Sequence, residues 1–351
     1  MIIGSCGYGG TGSSVLTDLL REYDDVQVYD EFEYILSYRV DGIQDLEYHL
    51  MKQFAKNLSG DYAIKRFMER SKCYKIPFIH KPCGGKEFYQ ISKEFIDEIT
   101  QLTYRGMDTA DVLTGHLARD IFAFASKKFF MPKIIEKLIK QRSYLWPCRT
   151  MYYSIHPSNF YEAAKRYNNK IIEAMGADLN RPVCLDQPFE GNNPENSFPF
   201  FEDPYAVVLD RDPRDLYFDI KYTKSPDGKF VPHTTVEDFI VFYSNMRSSI
   251  TEHPRVLRLN FEELIYNYDK AVNKIEAFLH LGEHIRPRTL FNPSRSINNT
   301  QMIRLHPEDK EDIQKIEIEL KEFLFPYENY PAPKFNGKPF SGAGRKMVTF
   351  E

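Results

Sequence analysis

The stretch Gly7 to Ser14 reads G-Y-G-G-T-G-S-S and follows directly on the short apolar run "MIIGSC". Glycines packed this closely let successive backbone N–H groups turn toward one point, where together they hold an anion. Gly7 and Gly12 have the spacing of the phosphate-loop pattern G-x-x-x-x-G-K-[ST], and Ser14 takes its Ser/Thr place, but Ser13 stands where the lysine belongs. Phosphate binding by Gly9, Gly10, Thr11, Gly12, Ser13 and Ser14 is therefore expected. Nucleoside triphosphate hydrolysis is not, because that chemistry uses the lysine to balance the transferred phosphate's charge. The competing reading is a glycine-rich turn with no ligand.

A second charged stretch is Asp210-Arg211-Asp212-Pro213-Arg214-Asp215, at the end of the apolar run "YAVVL". Pro213 suits the first turn of a helix, and an acidic residue there complements the helix dipole. Two arginines at the carboxyl end of a parallel strand lie where such sheets bind ligands, and their planar forks fit phosphate. A salt-bridged corner between strand and helix fits the same residues equally well. Candidates for a general base come from "VYDEFEYIL", which supplies Asp30, Glu31 and Glu33, with Glu31 and Glu33 preferred. Asp186 at the end of "PVCLD" either orients an acceptor or caps a loop. His80 and His156 are lone histidines in loop-like stretches, better suited to structural or solvent roles.

The elements that must position these residues are legible as a pattern. "MIIGSC", a helix over 12–23 and a strand at 26–29 make a βαβ unit, hence a parallel sheet. From about 41 to 180 amphipathic helical segments dominate, such as "LEYHLMKQFAKNL", "EFYQISKEFIDEITQLTY" and "MPKIIEKLIKQRSYL", and read as a helical insertion capping the acceptor side. Strands return at 182–187 and 205–212, and 255–264 reads as a strand running into a helix start, with helices over 213–224, 234–252, 269–281 and 311–325 and a loosely packed tail. The expectation is one α/β domain over 1–351, three layers deep, with a central parallel sheet and the insertion 41–180 within it.

Bulk properties narrow the function classes. The chain has 351 residues, net charge −4, 42% hydrophobic and 27% charged residues, which gives no global electrostatic grip on nucleic acid or an anionic membrane. Five scattered cysteines with no C-x-x-C pair point to reduced thiols rather than to a zinc site or a disulfide framework. No apolar run reaches membrane-spanning length, and Met1 leads straight into a strand, so a cytoplasmic protein without signal peptide is expected. The 27 Phe and 23 Tyr offer faces that stack on sugar rings, although most such residues pack in cores.

The glycine loop, the R-D-P-R-D stretch and "VLRLNFEELIYNYDKAVNKIEAFLHL", in that order, resemble the sulfotransferase family. The resemblance covers the first 35 residues and about 183–325; the helical middle matches no family. It implies a phosphate-loop-like α/β/α fold and transfer of a sulfonyl group from 3′-phosphoadenosine 5′-phosphosulfate (PAPS) to a hydroxyl or amine, with no metal. It implies that the loop holds the 5′-phosphosulfate, that Arg211 holds the 3′-phosphate, and that Phe261-Glu262-Glu263-Leu264 is structural. "NPSRSINNTQ", with Arg295, resembles the segment that closes over the nucleotide in the glycan-acting branch, which also implies a glycan or small hydroxylated acceptor and a glutamate base. Two positions depart from the pattern. Gly10 stands where the family's loop carries Lys or Arg, and Asp219 where it carries a serine that helps hold the 3′-phosphate. Lys65, Arg66, Lys81, Arg214 and Arg295 are the cations that could compensate. A phosphotransferase using a nucleoside triphosphate, with Asp210 as its metal-site carboxylate, and a non-catalytic nucleotide- or glycan-binding relative remain as alternatives.

Overall fold

The computed structural model describes residues 1–53, 57–107, 121, 125, 131–140, 148–222 and 231–334. The end of the segment "MPKIIEKLIKQRSYL" and residues 335–351 of the expected tail lie outside them. The chain divides into two compact units. One comprises Met1–Arg39, His80–Cys83 and the chain from Asn168 onward, and the other Val40–Ile79 and Gly84–Tyr167.

The first unit is built on a five-stranded parallel sheet. Its strands are β1 (Ile2–Cys6), β2 (Gln27–Tyr29), β5 (Val183–Asp186), β6 (Pro204–Asp210) and β7 (Val256–Asn260), in the spatial order β2-β5-β1-β6-β7. β1 is central, pairing Ile2 with Val183 on one side and with Pro204 on the other. Every residue of β1 is buried, as expected of a strand covered on both faces. Alternate residues Ile3, Cys184, Val207, Leu209 and Leu259 face a core shared with α1 (Ser14–Leu20) and with Leu264, Ile275 and Leu279. On the opposite face of β1, a Cβ at Gly4 would come within 2.4 Å of the Phe189 ring, so only glycine fits there. A mixed α/β unit with a central parallel sheet flanked by helices results, compatible with three α/β/α layers. The order reverses around β1, and such a switch point opens a crevice at the carboxyl ends of the strands.

The first helix is shorter than expected. Gly12, at φ +92°, keeps the chain non-helical until Ser14. After β7, a capping box between Asn260 and Glu263 starts a separate short helix, α9 (Phe261–Tyr266), before α10 (Tyr268–Leu279). The chain reaches them through α7 (Pro213–Tyr222) and α8 (Val236–Ser248); α11 (Pro293–Ser296) and α12 (Lys310–Glu319) follow.

The second unit contains α2 (Ile43–Glu47), α3 (Asn57–Cys73), α4 (Gly85–Ile99), α5 (Met131–Ile139) and the first half of α6 (Phe160–Ala174). It is not all helical. β3 (Leu102–Met107) and β4 (Cys148–Tyr153) form an antiparallel ribbon, and 168–180 belong to the first unit. The ribbon pairs Leu102 with Tyr153 across fifty residues, a contact that local periodicity cannot announce. Phe95 stacks on Tyr167 at 4.9 Å and meets the Phe67 ring at 5.7 Å within this unit's core.

The cysteines are free thiols, with Cys6 and Cys184 buried. Among the described residues no helix is long and apolar enough to cross a membrane.

One buried carboxylate staples the segment that leads into α11. Glu22, fully buried, accepts the backbone N–H of Arg288, Leu290 and Phe291 at 2.8–3.1 Å and meets His284 Nε2 at 2.6 Å. A carboxylate takes several donors at once, so this side chain does what a strand pairing would do elsewhere. Glu22→Ala is expected to lower the unfolding free energy by about 1–3 kcal/mol, read by urea denaturation, because three backbone amides, one of them buried, lose their acceptor.

Candidate functional site

A cleft of about 370 Å³ opens at the carboxyl edge of the sheet in the first unit. Its walls include Gly10, Gly12, Ser13 and Ser14 of the glycine loop, Glu33 after β2, Asp186 at the end of β5, Arg211 after β6, Asp219 of α7 and Arg295 of α11.

The loop is held open by its neighbours. Gly9, Gly10 and Gly12 take φ of +43°, +83° and +92°, the left-handed region that glycine enters without strain. A Cβ at Gly12 would sit 2.9 Å from the Phe261 ring. Among the described residues, the N–H groups of Gly9 through Ser14 find no acceptor. Unpaired amides in a tight run form a concavity that favours an anion. Two loop residues turn inward. Thr11 is buried and accepts the N–H of Tyr8 at 3.2 Å, and Gly9 packs against Val231.

Gln187 is the clamp that sequence reasoning missed. Its Oε1 accepts from Gly7 N at 3.2 Å and its Nε2 donates to Ser13 Oγ at 2.9 Å, so one amide spans both ends of the loop. Its backbone sits at φ +52°, and its N–H donates to Ser5 O at 2.9 Å. A non-glycine residue held there costs of order 1 kcal/mol or more and persists only where the surroundings enforce it. The one available hint was a polar residue directly after a strand.

Gly10 could not carry a lysine without strain. At φ +83° any side chain is unfavourable, and a Cβ would lie 3.2 Å from Leu216 and 4.0 Å from Asp219 Oδ2. The cation beside the loop is Arg211. Its Nη1 donates to Gly10 O at 2.7 Å and to Asp219 Oδ2 at 2.5 Å, and its Nη2 donates to Asn299 O at 2.9 Å. The guanidinium is buried and lies 5.4 Å from the Phe261 ring. Of the other candidate cations only Arg295 lines the cleft. Arg214 forks onto Asp212 and reaches Glu317, the corner reading of R-D-P-R-D. Lys65 pairs with Asp61, and Arg66 with Asp41, all within the second unit. Lys81 is not among the residues lining the cleft, whereas Arg295 lines it and its charge acts on Asp18.

The carboxylates sort by position. Asp30 is bound by Arg21 and by Thr17 Oγ1 at 3.0 Å. Glu31 is exposed and lies outside the cleft lining, whereas Glu33 lies in it. Asp186 is mostly buried, and burial, together with the negative charges of Glu33 and Asp30, pushes its carboxyl up to about 7. A carboxyl poised near neutrality in a cleft is suited to proton transfer. Of the lone histidines, His80 packs edge-on against Phe32, and His156 is exposed in the second unit. Asp210 is committed to structure. It accepts from Tyr8 Oη at 2.8 Å and pairs with Arg247 and Arg258 at 3.2 Å.

Two outcomes check this geometry. Asp186 keeps its proton in the folded protein up to about pH 7, whereas the unfolded chain releases it from about its ordinary 3.8. The folded state binds the extra proton, so stability falls as pH rises through that window and levels off above it. Asp186→Asn is therefore expected to gain stability over the parent progressively from pH 4 to 7, by up to about 4 kcal/mol, in denaturation curves across pH. Gln187→Ala is expected to weaken binding of pyrophosphate, a simple loop probe, by about 5- to 20-fold in calorimetry, because the loop loses both restraints.

No family model and no curated protein sequence matches this chain.

Proposed function

We propose that this protein transfers a sulfonyl group from a nucleotide 5′-phosphosulfate to a hydroxyl of a glycan-like acceptor. The observation that carries the reading is the pairing, across one cleft, of an amide cradle without lysine and a carboxyl held near neutrality at Asp186. The cradle suits the phosphate of the leaving group, which stays negative throughout the reaction. Sulfonyl transfer needs in-line positioning, charge stabilisation and a base for the acceptor proton, by analogy with phosphoryl transfer.

In this reading the Gly9–Ser14 amides bind the phosphate, and Arg295, which lines the same cleft, adds positive charge. Asp186 takes the acceptor's hydroxyl proton as the acceptor oxygen forms its bond to sulfur. The bond between sulfur and the donor's bridging oxygen breaks, and its electron pair leaves on the phosphate. Glu33 keeps Asp186 basic enough for this task by its nearby charge. Glu33 replaces the pair Glu31 and Glu33 as the glutamate of interest, in a supporting role. A triphosphate-dependent phosphotransferase is less well supported, because Asp210 is tied to two arginines and a tyrosine and the loop has no lysine.

The residues fit a 5′-phosphosulfate at the loop. They fit a second phosphate beside Arg211 poorly, because Asp219 already occupies that guanidinium.

Incubation with 5′-phosphosulfate donors, with and without a 3′-phosphate, and a pool of soluble glycans tests the reading. Glycan-dependent release of the desulfonated nucleotide is expected, and Asp186→Asn should reduce it by about 100-fold or more. Consumption of ATP–Mg²⁺ while both sulfonyl donors stay intact would sink the proposal, as would donor binding without any turnover.

A further inference from the structure

Asp219 has a consequence for the nucleotide itself. Its carboxylate lines the cleft beside Gly10, with its side chain 18% exposed, while the Arg211 guanidinium behind it is 4% exposed. The two charges cancel at 2.5 Å. The carboxyls of Asp215 and Glu262 also act on Arg211. Its two Nη groups already donate to Gly10 O, Asp219 and Asn299 O. A phosphate arriving at this end would meet Asp219 first and would have to displace it from a buried arginine. A hydroxyl would not, because a carboxylate shares hydrogen-bond donors among several lone pairs and adds no repulsion to a neutral donor. The same physics separates two dinucleotide cofactors elsewhere: an acidic side chain selects a free ribose hydroxyl, and an available arginine selects a ribose phosphate.

We infer that Asp219 makes the Arg211 end of the cleft a hydroxyl-accepting subsite, so that the preferred nucleotide carries its phosphate at the glycine loop and an unphosphorylated ribose beside Asp219. The inference rests on the phosphosulfate reading of the cleft and narrows the donor to the class with a single phosphate-bearing position. Asp219 is a specificity determinant in it and takes no part in bond making.

Calorimetry with adenosine 5′-phosphate and adenosine 3′,5′-bisphosphate as probes tests this on the full chain. The parent protein is expected to bind the monophosphate at least tenfold more tightly than the bisphosphate. Asp219→Ser, which frees the guanidinium, should reverse that order, and the near-isosteric Asp219→Asn should abolish the preference if the serine variant does not fold. A parent protein that prefers the bisphosphate, or a ratio unmoved by either substitution, overturns the inference while leaving the phosphosulfate reading intact. Failure of both nucleotides to bind the parent overturns the two together.

Discussion

The guanidinium of Arg211 joins three segments that are distant in sequence. It reaches the carbonyl of Gly10 in the loop, the carboxylate of Asp219 on α7 and the carbonyl of Asn299 beyond α11. Its own carbonyl accepts from Tyr243 Oη at 2.8 Å, adding a contact from α8. Buried charge is costly to desolvate and is tolerated only where partners surround it, so removing any one of these partners strands the rest. The loop's shape, the position of α7 and the segment after α11 are therefore not independent. One cation ties the three together.

Around that cation the first unit arranges further acid–base networks that are structural. Asp210 is gripped by Arg247 and Arg258, and Arg258 also donates to Gly191 O at 2.6 Å, which fixes the loop after β5 against the sheet edge. Asp212 and Asp215 accept from Arg214, Phe325 N, Met302 N and Gln301 N, binding the late chain to the start of α7. Burial and the neighbouring Asp212 and Asp215 push the Glu262 carboxyl up to about 8, so it sits there largely as a neutral group at physiological pH. These carboxyls maintain the scaffold. Asp186 differs from them in that it lines the cleft.

Much of the scaffold was legible beforehand because its signals are local. A strand, a glycine run and an apolar stripe at Leu16, Leu19 and Leu20 announce a βαβ start within 29 residues. The same holds for "YAVVLD" followed by Pro213. The ribbon of β3 and β4 escaped notice because its pairing spans some fifty residues and each strand alone is short. Gln187 escaped because its importance lies in a left-handed backbone and two side-chain bonds, neither of which residue type reveals. Glu31 looked equal to Glu33 in sequence. Two residues of separation place one in the cleft wall and the other outside it.

The glycine loop's composition, its place after the first strand and the absence of a lysine were set by the order of residues alone, because backbone freedom and side-chain type are local properties. Which charges meet was not. Arg211 and Asp219 lie eight residues apart across a strand-to-helix turn, and the packing of α7 against the loop brings them together. Asp186 owes its raised proton affinity first to burial and then to Glu33 and Asp30, about 150 residues earlier in the chain, which parallel pairing of β2 with β5 brings near. Coulomb energy and desolvation depend on distance and burial, and both are properties of the folded arrangement.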